Sequence, residues 1–98
     1  MSDANEINHN PCVTVYLPEV LTRLFPEARG TTELRAATVD DMLDRLDERW
    51  PGMRDRLADT SPGIRRHINV FVDGRRASLG TGLEEGAKIY VLTAMSGG

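Results

Sequence analysis

The chain has 98 residues, 40% of them hydrophobic and 28% charged, a balance that fits one small globular domain rather than a disordered or membrane-embedded chain. A net charge of -3 gives no basic footprint for nucleic acid, and Arg65/Arg66 and Arg75/Arg76 read as solvated turn and strand-end residues. No apolar run approaches the roughly 20 residues of a spanning helix, and the opening MSDANEINHNP lacks a secretory signal pattern, so the expectation is a cytoplasmic protein without a membrane partner.

Cysteine and histidine add little chemistry. Cys12 has no second cysteine to pair with, and Cys12, His9 and His67 are too few and too scattered for a metal site. A lone cysteine at a strand start reads as a small apolar filler rather than a sulfur relay. His67 has no catalytic partner implied by its neighbours, so no catalytic residue is expected.

Residues 1–11 are polar and unpatterned, and read as a flexible lead-in. In CVTVYL, residues 12–17, Val13, Val15 and Leu17 alternate with Cys12, Thr14 and Tyr16, the period of a strand with one buried face, and Pro18 ends it. Residues 18–30 carry Val20, Leu21, Leu24 and Phe25 between prolines, which predicts a partly buried turn with one helical turn. TELRAA, residues 32–37, is a weaker strand with Thr32, Leu34 and Ala36 on one side.

The helix signal is the strongest in the chain. Val39, Met42, Leu43, Leu46 and Trp50 fall at helical spacing, with Asp40, Asp41, Asp44, Arg45, Asp47 and Glu48 opposite. Thr38 is placed to cap the N-terminus with Asp41 three residues on, and Pro51 with Gly52 stops the helix. A charged stretch follows from Met53 to Pro62, with a short helix expected around Arg54 to Leu57.

HINVFVD, residues 67–73, alternates again: Ile68, Val70 and Val72 share one face, Asn69 and Phe71 the other. Asp73-Gly74 supplies a two-residue hairpin turn, and a short strand near Arg76 to Ser78 pairs back. After the turn-rich GTGLEEGA, KIYVLTAM forms the last strand, with Ile89 and Val91 inward and Tyr90 and Leu92 outward. The chain then runs through Met95 and Ser96 to Gly97 and Gly98.

With one helix long enough to cover a sheet, the other sheet face stays open. The order of elements, with a crossover helix after the second strand, is that of an α+β, β-grasp (ubiquitin-like) domain: a mixed four- to five-stranded sheet over one main helix. Its expected core is Val13, Val15, Leu17, Val39, Leu43, Leu46, Ile68, Val70, Val72, Ile89 and Val91. The domain spans residues 12–95, and residues 96–98 form a flexible tail. The same phase puts Tyr16, Phe71 and Tyr90 on the open face, three of the five aromatics in the chain, together with Leu92. With Met95 these residues define an expected partner-docking face.

NVFVDG, a Gly-rich connection, EEGAKIYVL and the terminal SGG together resemble the MoaD/ThiS family of ubiquitin-like sulfur carriers, over roughly residues 12–98. The resemblance implies that a ubiquitin-activating-type adenylyltransferase, using ATP with Mg, adenylates the carboxylate of Gly98. A sulfur donor then converts it to a thiocarboxylate. No permanently bound cofactor is implied, and the chain is a co-substrate rather than an enzyme, equivalent to the small subunit of a molybdopterin-synthase-like enzyme. The acceptor it implies is a molybdopterin synthase large subunit, a cysteine synthase or a thiazole synthase. LTAMS lacks the proline often found before the glycines. The link WPGMRDRLADTSPGIRR is longer than in the shortest members and is similar to carriers that feed cysteine synthesis; it leaves the pathway open. Two other classes fit the same features: a ubiquitin-like modifier joined to lysines through Gly98, and an interaction module whose tail is never activated.

Overall fold

The computed structural model describes residues 9–58 and 68–93. The elements in chain order are β1 (Cys12–Tyr16), α1 (Glu19–Leu24), a 3-10 turn (Pro26–Ala28), β2 (Thr31–Arg35), α2 (Val39–Arg49), α3 (Met53–Leu57), β3 (Ile68–Val72), β4 (Arg75–Arg76) and β5 (Lys88–Thr93). The five strands form one mixed sheet in the order β2-β1-β5-β3-β4. The final strand β5 lies at the centre, parallel to β1 and antiparallel to β3. This is the β-grasp arrangement expected from the element order.

Period-two alternation builds the sheet. Val13 and Val15 of β1, Thr32 and Leu34 of β2, Ile68 and Val70 of β3, and Ile89 and Val91 of β5 are all buried. Against them lies the apolar stripe of α2, where Val39, Met42, Leu43 and Leu46 are completely enclosed. Each such side chain contributes roughly 1.5–3 kcal/mol through removal of apolar surface from water. Leu17 and Val72, both expected in the core, are half-buried. β1 stops at Tyr16 because Pro18 cannot extend a ladder, so Leu17 packs against the rim of the core. Val72 sits where β3 turns into β4.

The start of α2 follows the expected cap. Thr38 Oγ1 accepts the Asp41 N–H at 3.1 Å, and Asp41 Oδ2 accepts the Ala37 N–H at 3.0 Å. The next donors, the N–H groups of Val39 and Asp40, bond to the carbonyls of Thr81 and Leu79. The turn-rich loop before β5 thus satisfies the exposed end of the helix.

Several boundaries move. The stretch 18–30 holds a six-residue helix and a 3-10 turn, more order than the single helical turn expected. β2 runs Thr31–Arg35, with buried Ala36 beyond its end, and the return strand after the hairpin is Arg75–Arg76 rather than 76–78. At that hairpin Asp73 and Gly74 have φ of 49° and 87°, the pair of left-handed conformations a tight two-residue turn demands. Asp73 Oδ1 then accepts the Lys88 N–H at 3.0 Å, which fixes the start of β5 against the turn.

α3 is the larger surprise. Met53 and Leu57 are fully enclosed, so this five-residue helix closes the core beside α2 rather than lying over it. An acidic and basic joint holds it. Asp47 Oδ1 accepts the N–H groups of both Gly52 and Arg54, at 3.0 and 3.1 Å. The Arg54 guanidinium returns to α2, bonding Asp40 Oδ1 at 2.6 Å, the Asp40 carbonyl at 3.0 Å and Asp44 Oδ1 at 3.1 Å. The hydrogen bond to Asp40, aided by the acidic face of α2, raises the Arg54 pKa further above its ordinary value.

Replacing Leu46 by Ala should cost about 3 kcal/mol of unfolding free energy, because a fully enclosed leucine leaves a cavity. Thr38→Ala should cost about 1 kcal/mol through loss of the cap. Chemical denaturation checks both; an unchanged midpoint for Leu46→Ala would contradict the packing described here.

Candidate functional site

The site is built on the sheet face turned away from α2. Register aligns one row across all five strands: Thr31 opposite Tyr16, Tyr16 opposite Tyr90, Tyr90 opposite Phe71, and Phe71 opposite Arg76. The rings of Tyr16 and Tyr90 stack with centroids 4.3 Å apart and planes 5° from parallel. Cross-strand aromatic packing of this kind stabilises a sheet, yet it also presents a flat apolar surface. Tyr90 remains 40% exposed and Leu92 46%. Leu92 lies opposite Asn69, one row nearer the C-terminal end of β5.

Charge frames the strip. Arg76 ends the aromatic row at the β4 edge, and Glu33 and Lys88 flank Thr14 in the adjacent row. An apolar centre with a charged rim is the composition of a protein-docking surface. The structure thus brings together Tyr16, Phe71, Tyr90 and Leu92 as the sequence places them. Met95, Ser96, Gly97 and Gly98, and also His67, lie outside the described residues. β5 carries the chain to Thr93, directly past the aromatic strip.

One feature escaped the sequence reading. Besides Tyr90 and Leu92, the exposed large hydrophobics among the described residues are Val20 and Leu24, four residues apart on α1. Leu21, between them, turns inward and is buried. Hydrophobic spacing alone gives Val20, Leu21, Leu24 and Phe25 equal claim to the core; only the packing of α1 selects among them.

Cys12 is half-buried and unpaired, and its N–H bonds Glu85 Oε1 at 2.9 Å. Among the described residues, no three His, Cys, Asp or Glu side chains converge to hold a metal ion, and no helix is long and apolar enough to cross a membrane.

Fold and surface together define a ubiquitin-like protein that presents an aromatic sheet face. Residues 19–98 match the ThiS family, a span that takes in the terminal glycines, and the chain belongs to that family. It is a small carrier of the ThiS/MoaD type. Among solved structures, it is similar to a chain of the Amycolatopsis orientalis BexX/CysO complex, with a TM-score of 0.78 and 29% identity over 88% of this chain and 99% of that one. It is also similar to SAMP1 from Haloferax volcanii, with a TM-score of 0.73 and 27% identity, covering 89% of this chain and 99% of that one. The putative molybdopterin converting factor subunit 1 from Pyrococcus furiosus shares the fold, with a TM-score of 0.69 and 19% identity over 88% of this chain and all of that one. No curated protein matches the sequence significantly.

Because Tyr90 is substantially exposed, Tyr90→Ala should cost only about 1 kcal/mol of stability, through loss of the Tyr16 stack. Thermal unfolding together with near-UV circular dichroism of the tyrosines checks this. A loss as large as that for Leu46→Ala would mean that the ring serves the core.

Proposed function

We propose that this chain is a sulfur carrier whose reactive group is the carboxylate of Gly98. What carries the reading is the ThiS-family match running through Gly97 and Gly98, on a body that exposes an aromatic face beside the strand leading to them. The body contributes docking, and its partners contribute catalysis.

The chemistry follows from the carboxylate. Ionised at neutral pH, it is a poor electrophile and must be activated. In a ubiquitin-activating-type adenylyltransferase, a carboxylate oxygen of Gly98 attacks the α-phosphorus of ATP, supplied with Mg, and pyrophosphate leaves. The acyl adenylate is then attacked at its carbonyl carbon by a sulfide-level nucleophile from a sulfur donor. A C–S bond forms, the C–O bond to AMP breaks, and the product is a thiocarboxylate. Glycine suits this position because a carbonyl with no Cβ on its own residue can be approached through a narrow channel. Ordering the tail costs roughly 1–2 kcal/mol per residue, and burial of Tyr16, Phe71, Tyr90 and Leu92 against the enzyme offsets that cost. Met95, between that face and the glycines, extends the contact.

The chain acts as a co-substrate, in the cytoplasm where ATP is supplied. Its acceptor is a molybdopterin synthase large subunit, a cysteine synthase or a thiazole synthase, and that partner sets the pathway. Similarity to a chain of the BexX/CysO complex supports a partner protein with which the carrier assembles. Similarity to SAMP1, named a small archaeal modifier protein, favours a second reading in which the same adenylate passes to lysine amines.

Incubation with a cognate activating enzyme, Mg-ATP and a sulfur donor should change the intact mass by one sulfur for one oxygen. Deletion of Gly98 should abolish this and leave the melting temperature unchanged. Leu92→Asp should raise the KM for adenylation about tenfold, equivalent to about 1.4 kcal/mol of docking energy. Lysine adducts ending in Gly98, with no thiocarboxylate formed, would replace the carrier by the modifier.

A further inference from the structure

The edge of the sheet opposite β4 carries its own binding potential, fixed by hydrogen-bond parity. The Ala36 N–H bonds the Pro11 carbonyl at 3.0 Å, in register with the β1–β2 ladder. Even-numbered residues of this strand therefore bond inward to β1, and Thr31, Glu33 and Arg35 direct their N–H and C=O groups off the edge. One of these carbonyls is already used: Glu33 O accepts Arg49 Nη2 at 2.9 Å.

A cleft of about 440 Å³ runs beside this edge, between β2 and α2, walled by Cys12, Glu33, Leu34, Arg35, Arg45, Glu48 and Arg49. Its arginines are only partly engaged. Arg35 bonds the neutral carbonyl of Asn10 at 2.8 Å and stands 4.0 Å from Glu85, and Arg49 serves the neutral carbonyl of Glu33. Arg45 pairs with Glu48 at 3.0 Å and with Asp41 at 3.8 Å, yet its buried Nε–H has no partner among the described residues. Arg35 and Arg49, whose hydrogen bonds go only to neutral carbonyls, are the cations of this mixed-charge wall open to a further carboxylate beside an unfilled strand edge.

We propose that the β2 edge and its cleft accept an extended, acidic segment of a partner protein as a sixth strand. Its backbone would pair with the outward groups of Thr31, Glu33 and Arg35, which recur about every 7 Å along the edge. Side chains of the added strand lying opposite Thr32 and Leu34 face the helix side, where carboxylates meet Arg45 and Arg49. An incoming N–H takes over the Glu33 carbonyl, and Arg49 exchanges that neutral acceptor for a carboxylate, a stronger charge-assisted bond. A second copy of the chain fits less well. A two-fold axis at Leu34 sets Glu33 against Arg35 twice, but it also brings two sets of Arg45 and Arg49 to one seam.

The test is amide NMR of the full chain titrated with a capped peptide of alternating aspartate and valine, six residues long. Shifts and slowed hydrogen exchange should concentrate at Thr31, Glu33 and Arg35, and the lysine-valine counterpart should produce none. Arg49→Glu should weaken binding about tenfold. Glu33→Pro, which removes an outward N–H while leaving the bonds to β1 in place, should do the same, and Arg76→Glu on the far edge should not. The Gly98 deletion should bind normally, so failure of tail activation leaves this surface unaffected. No response in large peptide excess, an equal response to the lysine peptide, or shifts centred on Tyr90 would overturn the proposal. A peptide-free dimer with protected Glu33 and Arg35 amides would assign the edge to a second copy instead.

Discussion

The structure depends on the two-residue period of its central strand. β5 is bonded on both sides, to β1 and to β3, so its register is fixed along most of its length. Ile89 and Val91 then have to face α2, and Tyr90 and Leu92 have to face away. A slip of one residue would bury Tyr90 and Leu92 and expose the core pair. The aromatic face is therefore the other half of the same constraint that closes the hydrophobic core. The pinned turn at Asp73, which takes up the Lys88 N–H, sets where that register begins.

The second organising contact is the joint between α2 and α3. Asp47 caps the turn after α2, and Arg54 reaches back across two aspartates, so a helix of only five residues holds its place over the core. The acidic face of α2, formed by Asp40, Asp41, Asp44, Asp47 and Glu48, serves this joint as well as solvent. An arginine between two carboxylates relieves repulsion that one-signed charge on a helix face would otherwise impose.

Much of the fold was legible in the sequence because strands and helix here obey simple periods. The alternation of Val13 and Val15, of Ile68 and Val70, and of Ile89 and Val91 marks buried faces directly, and Thr38 with Asp41 marks the helix start. The aromatic site was legible for the same reason, being the opposite phase of those strands. The burial of Met53 and Leu57 was not legible, since two apolar residues within MRDRL carry no more periodic signal than a loop. The exposure of Val20 and Leu24 was equally hidden, because the choice between four adjacent apolar residues is made by tertiary packing. The hydrogen-bond sense of the β2 edge depends on pairing with Pro11 and leaves no trace in residue type at all.

The placement of β5 also governs the order of events in the life of the molecule. β1 and β3, separated by more than fifty residues of chain, are not neighbours in the sheet and meet only through the strand made after both. Until residues 88–93 have left the ribosome, β1 has only its β2 hairpin partner and β3 only its short β4 return, pairs too small to stand alone in water. Assembly is thus withheld until synthesis has passed the last strand.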